Sequence, residues 1–375
     1  MSATKISIPV FDLKSQYASL RDELAQTAAR VMDSGRYILG PEVQAFEAEF
    51  AAASGAKYCA GMASGTVALE LALEACGIGP GDEVAVPSFS FIATATCVSS
   101  RGARPIFVDV DPGTLTMDPE DLRQRVTSRT KAVIPVHLFG RPADMDGIQA
   151  ALPKPDIRII EDCAQAHLAR YRGRPVGIIG DAGAFSFYPS KNIGAFGDAG
   201  AVLTDNKELH ARLSTLSNCG RRAGHQYDHA CVGYNARLDE LQAAFLRVKL
   251  RRLEEWTAAR GALCGLYRTL LADTPLRLPS KTDSDSRDAC HLFVVQCDRR
   301  DALQKHLADA GIGTGIYYPK PIHLQTAYVA PERKPEVLAV SERAAREVLA
   351  LPLFPELAPA DVEKVAAEIR RFFGK

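Results

Sequence analysis

Residues 58–88, YCAGMASGTVALELALEACGIGPGDEVAVPS, contain the unit that decides the fold. YCAGMA (58–63) is a short strand-like run. SGTVALELALEACG (64–77) is a helix opened by Ser64 and closed by glycine. DEVAVPS (82–88) reads as the next strand. Upstream, PEVQAFEAEFAAASG (41–55) has apolar residues at helical spacing and stops at Ser-Gly. Downstream come a helix at 92–102, a strand at 104–110, a helix at 119–126, and strands at 131–140, 157–162, 182–188 and 199–205. Such alternation predicts parallel pairing through right-handed crossovers, hence an α/β sheet covered on both faces. Ligands of such sheets bind beyond the carboxyl ends of the strands.

Past residue 236 the character changes. Residues 236–273 read as one long helical stretch, 274–289 as a polar connection, 290–298 as a strand and 300–311 as a helix. PADVEKVAAEIRRFF (359–373) closes the chain as a helix. The pattern predicts a large domain over 1–245 and a smaller C-terminal α/β domain over 246–375, with the extreme N-terminus packing on the smaller one.

Lysine plus arginine balance aspartate plus glutamate at 45 each, so no basic excess points to nucleic acid or an anionic membrane. Nine cysteines, with no C-x-x-C pair, read as reduced thiols of a cytoplasmic protein and not as disulfides or a zinc site. No run of 18 apolar residues predicts a membrane span. The eight histidines show no metal-binding spacing, and no Walker, dinucleotide or nucleophile-elbow motif is present.

Four local features bear on chemistry, and each has a plainer reading beside it. Ser64-Gly65-Thr66 opens a helix, which suits an anion and equally suits an ordinary cap. Asp162 ends the strand IRII, where it would face a protonated pyridine nitrogen or simply water. Gln165, three residues on, would bond a ring substituent or solvent. Lys191 lies in FSFYPSKNIGAFGDAGAV (185–202), as a desolvated nucleophilic amine or a surface charge, with Ser186 five residues earlier as a phosphate donor. Phe89 and Phe91 of SFSF (88–91) offer a stacking ring or core packing. All four fall at strand ends or helix starts of one predicted sheet.

These segments, together with FDLKSQY, SGRYILGPEVQAFEAEFA, IIEDCAQAH, GYNARLDELQAA and YYPKPIHLQTAY, resemble the DegT/DnrJ family of pyridoxal-phosphate sugar aminotransferases over almost the whole chain. The resemblance implies the fold type I architecture, a large domain with a mixed, mostly parallel sheet, and a homodimer with shared active sites. Residue by residue it implies Lys191 as the Schiff-base lysine, Asp162 on the ring nitrogen and Phe91 stacked on the ring. Gly65, Thr66 and Ser186 would hold the phosphate of pyridoxal 5'-phosphate, with Gln165 near the ring oxygen. Asn235 would reach the partner subunit's cofactor. Three positions depart from the family pattern: Leu168 and Ala199 stand where glycine is usual, and Ala236 where an aromatic is usual.

The expected reaction is transfer of an amino group from L-glutamate to a nucleotide-linked 3-keto or 4-keto hexose. A keto-cyclitol of the inosose type is the alternative acceptor. Arg221, Tyr318, Lys320 and His323, in RRAGHQYDH (221–229) and YYPKPIH (317–323), are candidates to meet it, or are exposed loop residues. A dehydratase relative would carry histidine in place of Lys191, and a non-catalytic relative would lack Lys191 or Asp162.

Overall fold

The computed structural model describes residues 6–329 and 336–375. Eleven strands follow in order: β1 (Tyr58–Met62), β2 (Glu83–Pro87), β3 (Arg104–Val108), β4 (Thr130–Val133) and β5 (Arg158–Asp162), then the two-residue ribbon of β6 (Arg170–Tyr171) and β7 (Arg174–Pro175). β8 (Ala182–Ser186), β9 (Gly200–Thr204), β10 (Phe293–Gln296) and β11 (Val348–Leu351) complete them.

Seven strands form the main sheet in the order β1-β9-β8-β5-β4-β2-β3. β3, β2, β4, β5 and β8 pair in parallel, whereas β9 runs antiparallel to both β8 and β1. The strand YCAGMA therefore pairs with β9 and not with its neighbour in sequence. Alternate residues feed two cores, as the two-residue period of a strand requires. On one face Ala85, Val133, Ile159 and Phe185 pack with helices Pro41–Ser54 and Glu240–Leu250. On the other, Val84, Val86, Ile160 and Ala184 pack with helices Gly65–Ala75, Ala93–Ser100 and Lys207–Ser217.

A separate core lies on the two-stranded sheet of β10 and β11. Helices Leu253–Leu271, Arg300–Asp309 and Pro359–Phe372 cover it, with Tyr267 fully buried and stacked on Phe293 at 4.9 Å. Ile8 belongs to this core and bridges to Ile312; residues 1–5 lie outside the described residues.

Two expectations are corrected. The strand expected over 131–140 ends at Val133, because the chain turns through a short 3-10 helix, Leu138–Gly140, in which Phe139 takes a left-handed φ of 59°. The single helix expected over 236–273 is two, Glu240–Leu250 and Leu253–Leu271. Leu246 and Leu253, on either side of the break, pack in the main-sheet core, and from Leu263 the second helix serves the smaller core. No described helix is long and apolar enough to cross a membrane.

Candidate active site

A cavity of about 540 Å³ opens beyond the carboxyl ends of β5 and β8. Asp162, the last residue of β5, lies in it and is only 6% exposed. Thr94 donates to its Oδ2 at 2.9 Å and the Ala164 N–H to its Oδ1 at 3.1 Å, fixing the plane of the carboxylate. Burial pushes its pKa up, opposed by those two donors and by the charge of Lys191. Glu161 points to the opposite face and is fully buried. It accepts from the N–H groups of Gly177, Ile179 and Gly180 at 2.7, 2.7 and 2.8 Å, and pairs with His137 Nε2 at 2.9 Å. Neither acid is a solvated strand end. Cys163 stands near that pair, but the Glu161 oxygens are already committed to four N–H groups.

Lys191 lies in the turn after β8, its N–H bonded to the Tyr188 carbonyl at 2.8 Å. It is part-buried; burial brings its amine down to about 8, and the Asp162 charge pulls the other way. A surface lysine would not show this. The amine is held in reach of its neutral, nucleophilic form.

The helix Gly65–Ala75 starts at the same cavity. Ser64 accepts from the Val67 N–H at 3.2 Å, which leaves the N–H groups of Gly65 and Thr66 without an intrahelical acceptor. Glycine is required at two points of this junction. A Cβ on Gly65 would lie 2.6 Å from Cβ of Ser186, and one on Gly200 would lie 2.4 Å from the Ser64 carbonyl carbon. The helix start, Ser186 and β9 thus touch, forming an anion cradle of N–H groups and a hydroxyl.

Of the two phenylalanines, Phe89 is fully buried against Phe139, whereas Phe91 is 55% exposed and lines the cavity. Gln165 accepts from the Phe139 N–H at 2.6 Å and donates to Tyr318 Oη at 3.2 Å, so Tyr318 also faces the cavity. The other candidates lie elsewhere. Asn235 is exposed and accepts from Arg237 at 2.6 Å. Arg221 pairs with His229 at an exposed hairpin, and Lys320 is exposed. His323 is buried outside the cavity. Its Nδ1 meets Ser88 Oγ at 2.5 Å, which ties the ring to the loop after β2, and its Nε2, 3.6 Å from Glu342, has no hydrogen-bond partner among the described residues. Arg260 and His291 line the cavity without having been singled out in the sequence. Arg260 sits in an unbroken helical pattern, and its contacts are to residues 31 and 93 positions away.

A mixed, mostly parallel sheet carrying a desolvated lysine, a buried carboxylate and an anion cradle at its carboxyl edge defines the pyridoxal-phosphate-dependent transferases of fold type I. The cofactor's three demands, for an amine, an acid at the ring nitrogen and a phosphate seat, meet groups already in place. Residues 18–370 match the DegT/DnrJ/EryC1/StrS aminotransferase family, and the chain belongs to it. It is 47% identical to the erythromycin biosynthesis sensory transduction protein EryC1 of Saccharopolyspora erythraea, over 97% of this chain and 99% of that protein. It is equally 47% identical to a dTDP-3-amino-3,4,6-trideoxy-alpha-D-glucose transaminase of Streptomyces venezuelae, over 97% and 96%. The crystal structure of S. venezuelae DesV in complex with a ketimine intermediate superposes with a TM-score of 0.95 at 46% identity, covering 99% of this chain and all of that one.

The chain is a pyridoxal-phosphate-dependent aminotransferase. Leu168 has a φ of 61°, the left-handed region in which glycine is at ease and other residues pay about 1–2 kcal/mol. Ala199 and Ala236 are buried.

Proposed function

We propose that this enzyme moves an amino group from L-glutamate to the keto carbon of a nucleotide-linked 3-keto hexose, making an amino sugar. The observation that carries the reading is one cavity holding both an amine drawn toward neutrality, Lys191, and a carboxylate shielded from water, Asp162. The acceptor class is supported by the relative whose name specifies a dTDP-linked 3-amino sugar.

Pyridoxal phosphate, when bound, supplies an electron sink and carries the amino group between the two substrates. Asp162, oriented by Thr94 and the Ala164 N–H, would hold a proton on the ring nitrogen. Lys191 would hold the cofactor through Nζ and would serve as the base that moves a proton. The N–H groups of Gly65 and Thr66 and the Ser186 hydroxyl would hold the phosphate. Phe91, Gln165 and Tyr318 line the cavity, where Phe91 would stack on the cofactor ring, Gln165 would bond a ring substituent and Tyr318 would meet the acceptor.

The working unit is a homodimer in the cytoplasm. Exposed Tyr17 and Phe196, edge to face at 6.2 Å, are apolar surface that a second copy would cover, and Asn235 would then reach the partner's phosphate seat. The separate cores support two domains, with the boundary shifted from residue 245 past Leu253, since Leu246 and Leu253 still pack in the main-sheet core and Leu263 in the smaller one. The test is a spectral titration of the pyridoxamine form with dTDP- and UDP-linked 3-keto and 4-keto hexoses and with an inosose. Recovery of the visible cofactor band with a nucleotide-linked 3-keto hexose is expected. Recovery with the inosose alone would overturn the proposed acceptor.

A further inference from the structure

The acid in the cavity faces a competition for one proton. Asp162 is buried, and burial drives a carboxyl toward its neutral form. A carboxyl that keeps the proton cannot also leave it on a ring nitrogen beside it. Two hydroxyls bear on that choice. Thr94, in the first turn of the helix Ala93–Ser100, is fully buried, and its Oγ1 reaches Asp162 Oδ2 at 2.9 Å. Ser90, in the loop after β2, is buried and lines the same cavity, and its Oγ lies 3.0 Å from Thr94 Oγ1.

The direction of these bonds follows from counting protons. A hydroxyl has one proton to give, and an ionised carboxylate has none. Thr94 must therefore spend its proton on Asp162, which leaves its lone pairs for Ser90, so the Ser90 O–H donates to Thr94. The chain runs one way, from Ser90 through Thr94 to Asp162, and each bond polarises the next toward the negative charge. The Ala164 N–H adds a donor on Oδ1 at 3.1 Å. A neutral Asp162 with its proton on Oδ2 would force both hydroxyls to turn around. The plainer role for Ser90, a helix cap, is not in use. Among the described residues its Oγ takes no backbone N–H, and the helix has no side-chain cap.

We infer that Ser90 and Thr94 are positioning residues for a proton: their chain holds Asp162 ionised, which places the shared proton on the cofactor's ring nitrogen. This rests on the place proposed for Asp162 at that nitrogen. A protonated ring is the better electron sink, so the two hydroxyls act on the reaction through Asp162. Lys191 also faces Asp162, but its charge comes and goes with its chemistry, whereas the chain is fixed.

The experiment loads the protein with pyridoxal 5'-phosphate isotope-labelled at the ring nitrogen and reads that nucleus by NMR at neutral pH, where protonated and neutral pyridine nitrogens resonate far apart. Melting temperature and cofactor stoichiometry report the fold and the loaded site. In the wild type the upfield, protonated position is expected. Thr94→Val keeps the side-chain shape and drops the hydroxyl. The proton's preference for the ring should then fall about tenfold or more, moving the signal downfield. Ser90→Ala removes only the polarising bond, so a fall of about twofold in the same direction is expected. Thr94→Ser keeps the hydroxyl without the methyl and should hold the wild-type position; a role in packing alone would reverse that order. An unmoved signal in Thr94→Val or in Ser90→Ala, beside a shifted one in Asp162→Asn, would overturn the inference alone. A wild-type signal already at the neutral position, or one that Asp162→Asn leaves unmoved, would overturn the place of Asp162 with it.

Discussion

Lys191 and Asp162 act at the scale of single atoms. Replacing Lys191 with alanine removes the amine that would hold the cofactor and move the proton, so Lys191→Ala is expected to bind cofactor without catalysing transamination. Measurable turnover would count against the role. Asp162→Asn keeps the contact to Thr94 but loses the charge that would hold the ring proton. A drop in kcat of about a hundredfold or more is expected, by analogy with losing one fixed electrostatic contact in a dry site, and steady-state kinetics would show it. Burial lowers the Lys191 amine to about 8 from 10.5. In cofactor-free protein the reactive neutral amine therefore becomes abundant above pH 8, and the rate of cofactor uptake should rise with pH through that value. The folded state binds this proton less readily than the unfolded chain does. Stability of the cofactor-free protein should therefore gain from this group as pH climbs from about 8 to 10.5, and Lys191→Met should lose that increment.

At the scale of elements, the junction between a helix start and two strand ends does most of the positioning. Gly65→Ala would drive a methyl into Ser186 and push the N–H groups out of line. Cofactor affinity should weaken roughly tenfold or more, as for losing a charge-assisted hydrogen bond, read by equilibrium dialysis. How much of this was legible depended on punctuation. Strands bounded by Gly, Pro and Asp stood out, as did the helix opened by Ser64. The helix Lys207–Ser217 went unread although Asn206 caps it and Leu209, Leu213 and Leu216 mark its buried side. β11 was missed because VLAL follows the helix Ala339–Glu347 with no breaker between them. The direction of β9 could not be read from AGAVLTD, since a short apolar run looks the same in either orientation. Lys191, Asp162 and Gly65 were visible because each sits at an element's end. Arg260 and His291 were not, since only tertiary packing brings a mid-helix arginine and a strand-flanking histidine to the same wall.

Across the whole molecule, stability rests on distinct cores. Tyr267, buried against Phe293 and bonded through Oη to the Pro352 carbonyl at 3.0 Å, anchors the smaller one. Tyr267→Ala is expected to cost about 3–5 kcal/mol in denaturant unfolding. Light scattering should give the mass of two chains, and Asn235→Ala should weaken cofactor retention without dissociating them. The placement of β9 has a further consequence, in time. Among the described residues β1 pairs only with β9, with Tyr58 opposite Thr204 and Met62 opposite Gly200. On the ribosome the first strand to emerge must therefore wait for the last strand of its sheet, through a loop closure that is slow and costly in entropy. Until then YCAGM is an unpaired apolar edge. A nascent chain halted before residue 200 should be protease-sensitive at β1 and held by chaperones, and one released past residue 204 should become resistant there.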